Sequence, residues 1–123
     1  MSVLLDTHTV LWWLDDDERL PDSARKSITG AGQAAYVSAA SVWEIAIKRA
    51  HGKLEIDDAW YSAIFADFAE LPISADHARR ASELLPHHRD PFDRMLIAQA
   101  LAEDLTLVAA DPAFRLYGAS VSW

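Results

Sequence analysis

The sequence predicts an α/β fold, a mostly parallel sheet with helices on both faces, and three features of the 123-residue chain carry that expectation. Short apolar runs alternate with stretches of helical period. No two-residue turn of the Asn-Gly or Gly-Gly kind joins neighbouring runs, so hairpins are not signalled. The clearest strands each lead through a short polar turn into a helix carrying an acid, the cadence of strand–crossover–strand units.

In order, Ser2 to Leu5 reads as a strand ending at Asp6, after which Thr7 and His8 open an apolar helix over Thr9 to Leu14. An acidic turn from Asp15 to Leu20 precedes a helix started by Pro21, Asp22 and Ser23 and stopped near Gly30 and Gly32. Ala35 to Ser38 is the second strand, and Ser38 to Ser41 leads into a helix bearing Trp43, Glu44, Ile47 and Lys48 that Gly52 closes. Lys53 to Ile56 is extended. A helix from Asp57 or Asp58 to about Phe68 then sets Trp60, Ile64 and Phe68 on one face. Leu71 to Ser74 is the third strand, followed by a helix from Ser74 or Asp76 through Ala78, Ala81, Leu84 and Leu85 to Pro86. The most complete unit runs from His87 to Phe114. Asp90 as N-cap, Pro91 at the first helical position and Asp93 in the first turn start its helix. Asp93, Leu96, Ile97, Ala100 and Leu101 share one face of that helix. Thr106 to Ala110 is a buried strand ending at Asp111 and Pro112, and Ala119 to Trp123 is the last strand.

With 51% apolar residues the chain is expected to form one globular domain over residues 1–123. No apolar run approaches the roughly 20 residues of a membrane span. The start, MSVLLDTH, lacks a basic leader and a cleavage site, so a cytoplasmic protein without membrane contact is expected. Absence of cysteine agrees with a reducing compartment and removes thiolate catalysis and cysteine-ligated zinc. A net charge of -8 and a pI near 4.9 exclude a broad basic surface for nucleic acid; any polyanion must be met through cations.

Asp6, Glu44, Asp93 and Asp111 each fall at a strand end or in a helix just after one. In a parallel sheet those ends lie along one edge, where open α/β sheets keep their sites, so these carboxylates are expected to converge. Two carboxylates about 5 Å apart repel by roughly 3 kcal/mol at an effective dielectric of 20, so such a cluster persists only protonated or with a cation. Oxygen donors suit Mg²⁺ or Mn²⁺. Each acid also has a plainer reading. Asp6 and Asp90 suit helix caps, Glu44 is the i, i+4 partner of Lys48, Asp93 is a first-turn acid and Asp111 precedes a turn. The place of Asp93 on the apolar stripe, and the joint occurrence of the acids at strand exits, favour the cluster. Arg89 and Arg94 are candidates for phosphate contact or for pairing with neighbouring acids. Ser38 and Ser41 read as caps before nucleophiles. His87 and His88 lack a third imidazole at ligand spacing, and neither HExxH nor GxSxG occurs.

LLDTH at 4–8, SAASVWEIAIKRAHGKL at 38–54, RDPFDRMLIAQA at 89–100 and LVAADPAF at 107–114 together resemble PIN-domain nucleases, and among them the VapC-type toxin ribonucleases of toxin–antitoxin pairs. The resemblance implies a three-layer α/β/α fold with a mostly parallel five-stranded sheet. It implies a Mg²⁺ site, with Mn²⁺ as the alternative ion, made by Asp6, Glu44, Asp93 and Asp111, with Asp90 a further ligand or only a cap. Thr7 and Ser38 or Ser41 would support the site, and Arg89, Arg94 and Lys48 would contact phosphate.

The implied activity is endoribonucleolytic hydrolysis to 5′-phosphate and 3′-hydroxyl ends, with water rather than the 2′-hydroxyl attacking. The implied partners are RNA, a cognate VapB-type antitoxin whose C-terminal segment covers the acidic cleft, and a second copy in a homodimer. Trp12, Trp13 and Trp43 are candidates for the adjoining groove or the dimer contact. A PIN-like module that only binds a partner is one alternative, and a missing site acid would favour it. An aspartyl-phosphate phosphatase is another, but it wants a second acid where His8 stands.

Overall fold

The computed structural model describes residues 1–123. Val3–Leu5 forms β1, whose three side chains are fully buried. A strand covered on both faces has no polar side to present, which is why it reads as a run rather than an alternation. The chain continues through α1 (Thr7–Leu14), α2 (Asp22–Ala31), a 3-10 turn (Gly32–Ala34), β2 (Ala35–Ser38), α3 (Ala39–Ala50) and α4 (Trp60–Asp67). Then follow β3 (Ala69–Leu71), α5 (Ala75–Glu83), α6 (Pro91–Glu103), β4 (Thr106–Val108), a 3-10 helix (Pro112–Tyr117) and β5 (Val121–Ser122). The sheet has five strands in the order β3-β2-β1-β4-β5, and every pair is parallel.

That order makes β1 the central strand: the chain builds outward to β3 on one side, then crosses over to β4 and β5 on the other. Such a reversal leaves a crevice at the carboxyl ends of the strands beside it. Leu5 stands opposite both Val37 and Val108, so Asp6, Ser38 and Ala109 lie side by side at the carboxyl edge of the sheet. The period of two along β1 divides the core. Leu4 packs with Leu96, Ile97, Ala100, Leu107 and Phe114, whereas Val3 and Leu5 pack with Val10, Ile28, Val37, Ile45 and Ile64.

Helix starts follow local chemistry. The Ser38 hydroxyl accepts from the Ala40 N–H, and Ser74 with His77 closes a reciprocal capping box at the start of α5. Asp90 accepts from the Phe92 N–H, Pro91 follows it, and α6 ends on Asp104 in the left-handed conformation at φ 54°.

Four expectations need correction. The third strand is Ala69–Leu71 rather than Leu71–Ser74, because Pro72 has no N–H to continue the ladder with β2. Helix α4 begins at Trp60, since the Asp57 side chain accepts from the Ala59 N–H and holds a turn there instead. Helix α5 ends at Glu83 with Ala78 and Leu85 exposed, and it buries His77. On α6, Leu101 is exposed while Gln99 is fully buried. No helix is long and apolar enough to cross a membrane.

Candidate active site

At the exit of β1, Asp6 turns into the cap of α1: its Oδ1 accepts from the Thr9 N–H at 2.9 Å and from the Thr9 hydroxyl at 2.5 Å. The same hydroxyl lies 2.9 Å from the Val108 carbonyl, tying the first turn of α1 to the end of β4. Beyond β2, α3 carries Glu44 inward, and its carboxylate is buried. The Thr7 hydroxyl donates to Glu44 Oε1 at 2.7 Å and sits 3.0 Å from the Ser41 hydroxyl, while Lys48 Nζ donates to Oε2 at 2.7 Å. Beyond β4, Asp111 caps the 3-10 helix: Oδ1 accepts from the Ala113 N–H at 2.9 Å and Oδ2 meets His88 Nε2 at 3.1 Å. The N-terminal turn of α6 brings Asp90 and Asp93 to the same place. Asp6, Glu44, Asp90, Asp93 and Asp111 all line one cavity of about 350 Å³, together with Thr7, Thr9, Trp12 and Lys48.

Burial and mutual repulsion govern its electrostatics. Asp93 is pushed up to about 6, first by burial and then by the charge of Asp90, with Glu44 and Asp6 adding to it and His88 opposing. Burial raises Asp6, against the two hydrogen bonds from Thr9. Asp111 goes the other way, held low first by the Ala113 N–H and then by His88.

The sequence pattern of the PIN domain matches residues 3–119. The chain belongs to the PIN domain family. Solved structures agree on the fold: VapBC2 from Rickettsia felis, bound to a DNA fragment from its promoter, matches with a TM-score of 0.70 at 17% identity over 98% of this chain and 97% of that one. FitAcB from Neisseria gonorrhoeae matches with a TM-score of 0.65 at 20% identity over 97% of this chain and 95% of that one. Among curated proteins, none matches.

PIN domains are generally nucleases that use divalent metal ions. The donors present in this PIN domain fit such an ion by type, because the cavity offers the carboxylates of Asp6, Glu44, Asp90, Asp93 and Asp111 against the single ammonium of Lys48, which Glu44 already holds. No three of its Asp, Glu or His side chains are gathered tightly enough in this structure to enclose one ion.

Not every residue singled out in the sequence is brought to this cavity. Arg94 is not: its guanidinium donates to the carbonyls of Ala81 and Leu84 at 2.8 Å, Leu85 at 3.0 Å and His88 at 3.2 Å, which closes the end of α5. Arg89 is exposed and outside the lining. Ser38 is fully buried, capping α3 and donating to Gln99 Oε1 at 2.5 Å, so of the two serines Ser41 is the one beside Glu44. Thr9 and His88 were not anticipated. Thr9 had a legible signal, a hydroxyl three positions after a capping acid, whereas the partner of His88 lies 23 positions away.

Proposed function

We propose that this PIN domain is a Mg²⁺- or Mn²⁺-dependent endoribonuclease and the toxin of a VapBC-type pair. The observation that carries the reading is the meeting of Asp6, Glu44, Asp93 and Asp111, from four separate places in the chain, in one cavity at the carboxyl edge of the sheet. These carboxylates are the proposed ligands, and a divalent ion held there would supply Lewis-acid polarisation and charge neutralisation to a phosphodiester. The protein's own part is preorganisation. Thr9 fixes the Asp6 carboxylate, Thr7 fixes Glu44, and Lys48, paired with Glu44 Oε2, brings the ammonium of the lining within reach of a phosphate oxygen. Asp90, as the cap of α6, sets the direction of Asp93 without having to ligate. Asp93, raised to about 6 by burial and by Asp90, would give up its proton as a divalent ion is bound. Attack by water on phosphorus leaves 5′-phosphate and 3′-hydroxyl ends.

The co-encoded partner is inferred to be a VapB-type antitoxin, a reading supported by the two-component VapBC2 and FitAcB assemblies that share the fold. Trp43, 63% exposed beside Phe92, is the aromatic surface offered to that partner or to a second copy. Cleavage of single-stranded RNA is expected with Mg²⁺ or Mn²⁺ and none with EDTA. Persistent cleavage in EDTA, or 2′,3′-cyclic phosphate products, contradicts the mechanism.

A further inference from the structure

Asp111 lies past the end of β4 and leads directly into a six-residue 3-10 helix, whose hydrogen bonds are poorer than those of an α-helix. Its carboxylate therefore takes its orientation from specific partners. The Ala113 N–H holds Oδ1. The group facing Oδ2 is His88, from the loop between α5 and α6, with a side chain only 9% exposed.

The imidazole is itself fixed on every side. Its ring packs on Phe114 at 5.0 Å and on Tyr117 at 5.5 Å between centroids, and its own carbonyl is held by Arg94. Its two nitrogens have different partners: Nε2 is 3.1 Å from Asp111 Oδ2 and Nδ1 is 3.2 Å from the Tyr117 hydroxyl. A carboxylate accepts and cannot donate, so Nε2 carries the proton; in the neutral ring Nδ1 then accepts from the phenol. Asp111 caps the 3-10 helix and Tyr117 is its last residue, so one imidazole clasps both ends of the element that carries the acid.

We propose that Tyr117, His88 and Asp111 form a positioning relay, in which the tyrosine sets the histidine tautomer and the histidine aims the Asp111 carboxylate for metal. Resting on the nuclease reading above, it makes His88 a positioning residue that touches neither metal nor RNA. Each Asp111 oxygen, with one bond already made, keeps a lone pair for a ligand in the cavity it lines. Residues that orient a metal ligand in this way typically change metal affinity or activity by about 10–100-fold when replaced.

The decisive comparison is His88→Gln with His88→Asn. Glutamine can place an N–H where Nε2 stood; asparagine, one carbon shorter, reaches only the Nδ1 position. Mn²⁺ affinity by electron paramagnetic resonance and kcat and KM for RNA are measured on each, with melting temperatures as a check on folding. His88→Asn should weaken Mn²⁺ binding about 10–100-fold and lower kcat with little change in KM, His88→Gln should recover most of the loss, and His88→Asn should add nothing to Asp111→Ala. Equal losses in the two His88 variants, or full additivity with Asp111→Ala, overturn the relay. If the wild-type chain neither binds Mn²⁺ nor cleaves RNA, the nuclease reading has failed. The hydrogen-bond chain is then judged by ¹⁵N spectra of the imidazole: an Nε2-protonated neutral ring disturbed by Tyr117→Phe upholds it, and an Nδ1-protonated ring overturns it.

Discussion

Asp90 and Asp93 begin the same helix and are expected to behave in opposite ways. The raised Asp93 binds its proton in the folded chain over a range, from the ordinary carboxylate value up to about 6, in which the unfolded chain has released it. Folding is therefore favoured below that range, and stability falls as pH rises through it, by about 2 kcal/mol after allowance for the water that still reaches the group. Asp93→Asn should flatten this slope in metal-free buffer and abolish both cleavage and the rise in melting temperature on adding Mg²⁺. Asp6, also raised by burial, adds a slope of the same sign, while the lowered Asp111 acts only in acid, where its contribution is lost as pH falls. Asp90→Ala removes a cap and should cost about 1 kcal/mol while much of the activity survives. Urea unfolding in EDTA at several pH values, with a cleavage assay, reads both. A wild-type pH slope in Asp93→Asn, or inactive but fully stable Asp90→Ala, reverses the two roles.

Helix α6 was legible from its own residues because both its start and its apolar stripe are local. The end of α5 was not, because Arg94, outside its span, takes up the Ala81, Leu84 and Leu85 carbonyls. Arg94→Ala strips charged donors from several carbonyls at once and should destabilise the fold by about 2 kcal/mol, with KM for RNA unchanged within about twofold at a temperature where the variant is folded. A large rise in KM without loss of stability would return Arg94 to the phosphate-binding role that the sequence suggested. The same distinction explains the site. Asp6, Asp93 and Asp111 could be read because each sits at or just beyond an element boundary, and Glu44 because it lies on the helix that directly follows β2; the sheet order aligns these places. The support that Thr9 gives Asp6 is local, but its tie to Val108 and the bond of His88 to Asp111 run across distances in sequence that no local pattern reports.

Over the whole molecule the net charge is -8, and the one ammonium in the lining of the cavity, that of Lys48, is paired with Glu44. A protein neutralising 6–10 phosphates loses about 10³–10⁵ in nucleic-acid affinity between 50 and 200 mM salt. Here monovalent salt screens repulsion as much as attraction, so KM for RNA at fixed Mg²⁺ should change by less than about tenfold over that range. A steep rise, measured by titrating KCl in the cleavage assay, would point to a basic tract that this surface does not display.

The central position of β1 has one more consequence, which concerns time. During synthesis β1 must wait for one of its two neighbours until β4 has been made: the contact between the Thr9 hydroxyl and the Val108 carbonyl spans 99 positions. Non-local pairings of this kind form late and slowly. Asp6 is made long before β4 and Asp111, and its cavity has no far wall until they follow, so on the proposed nuclease reading the site stays incomplete through most of the synthesis of this domain.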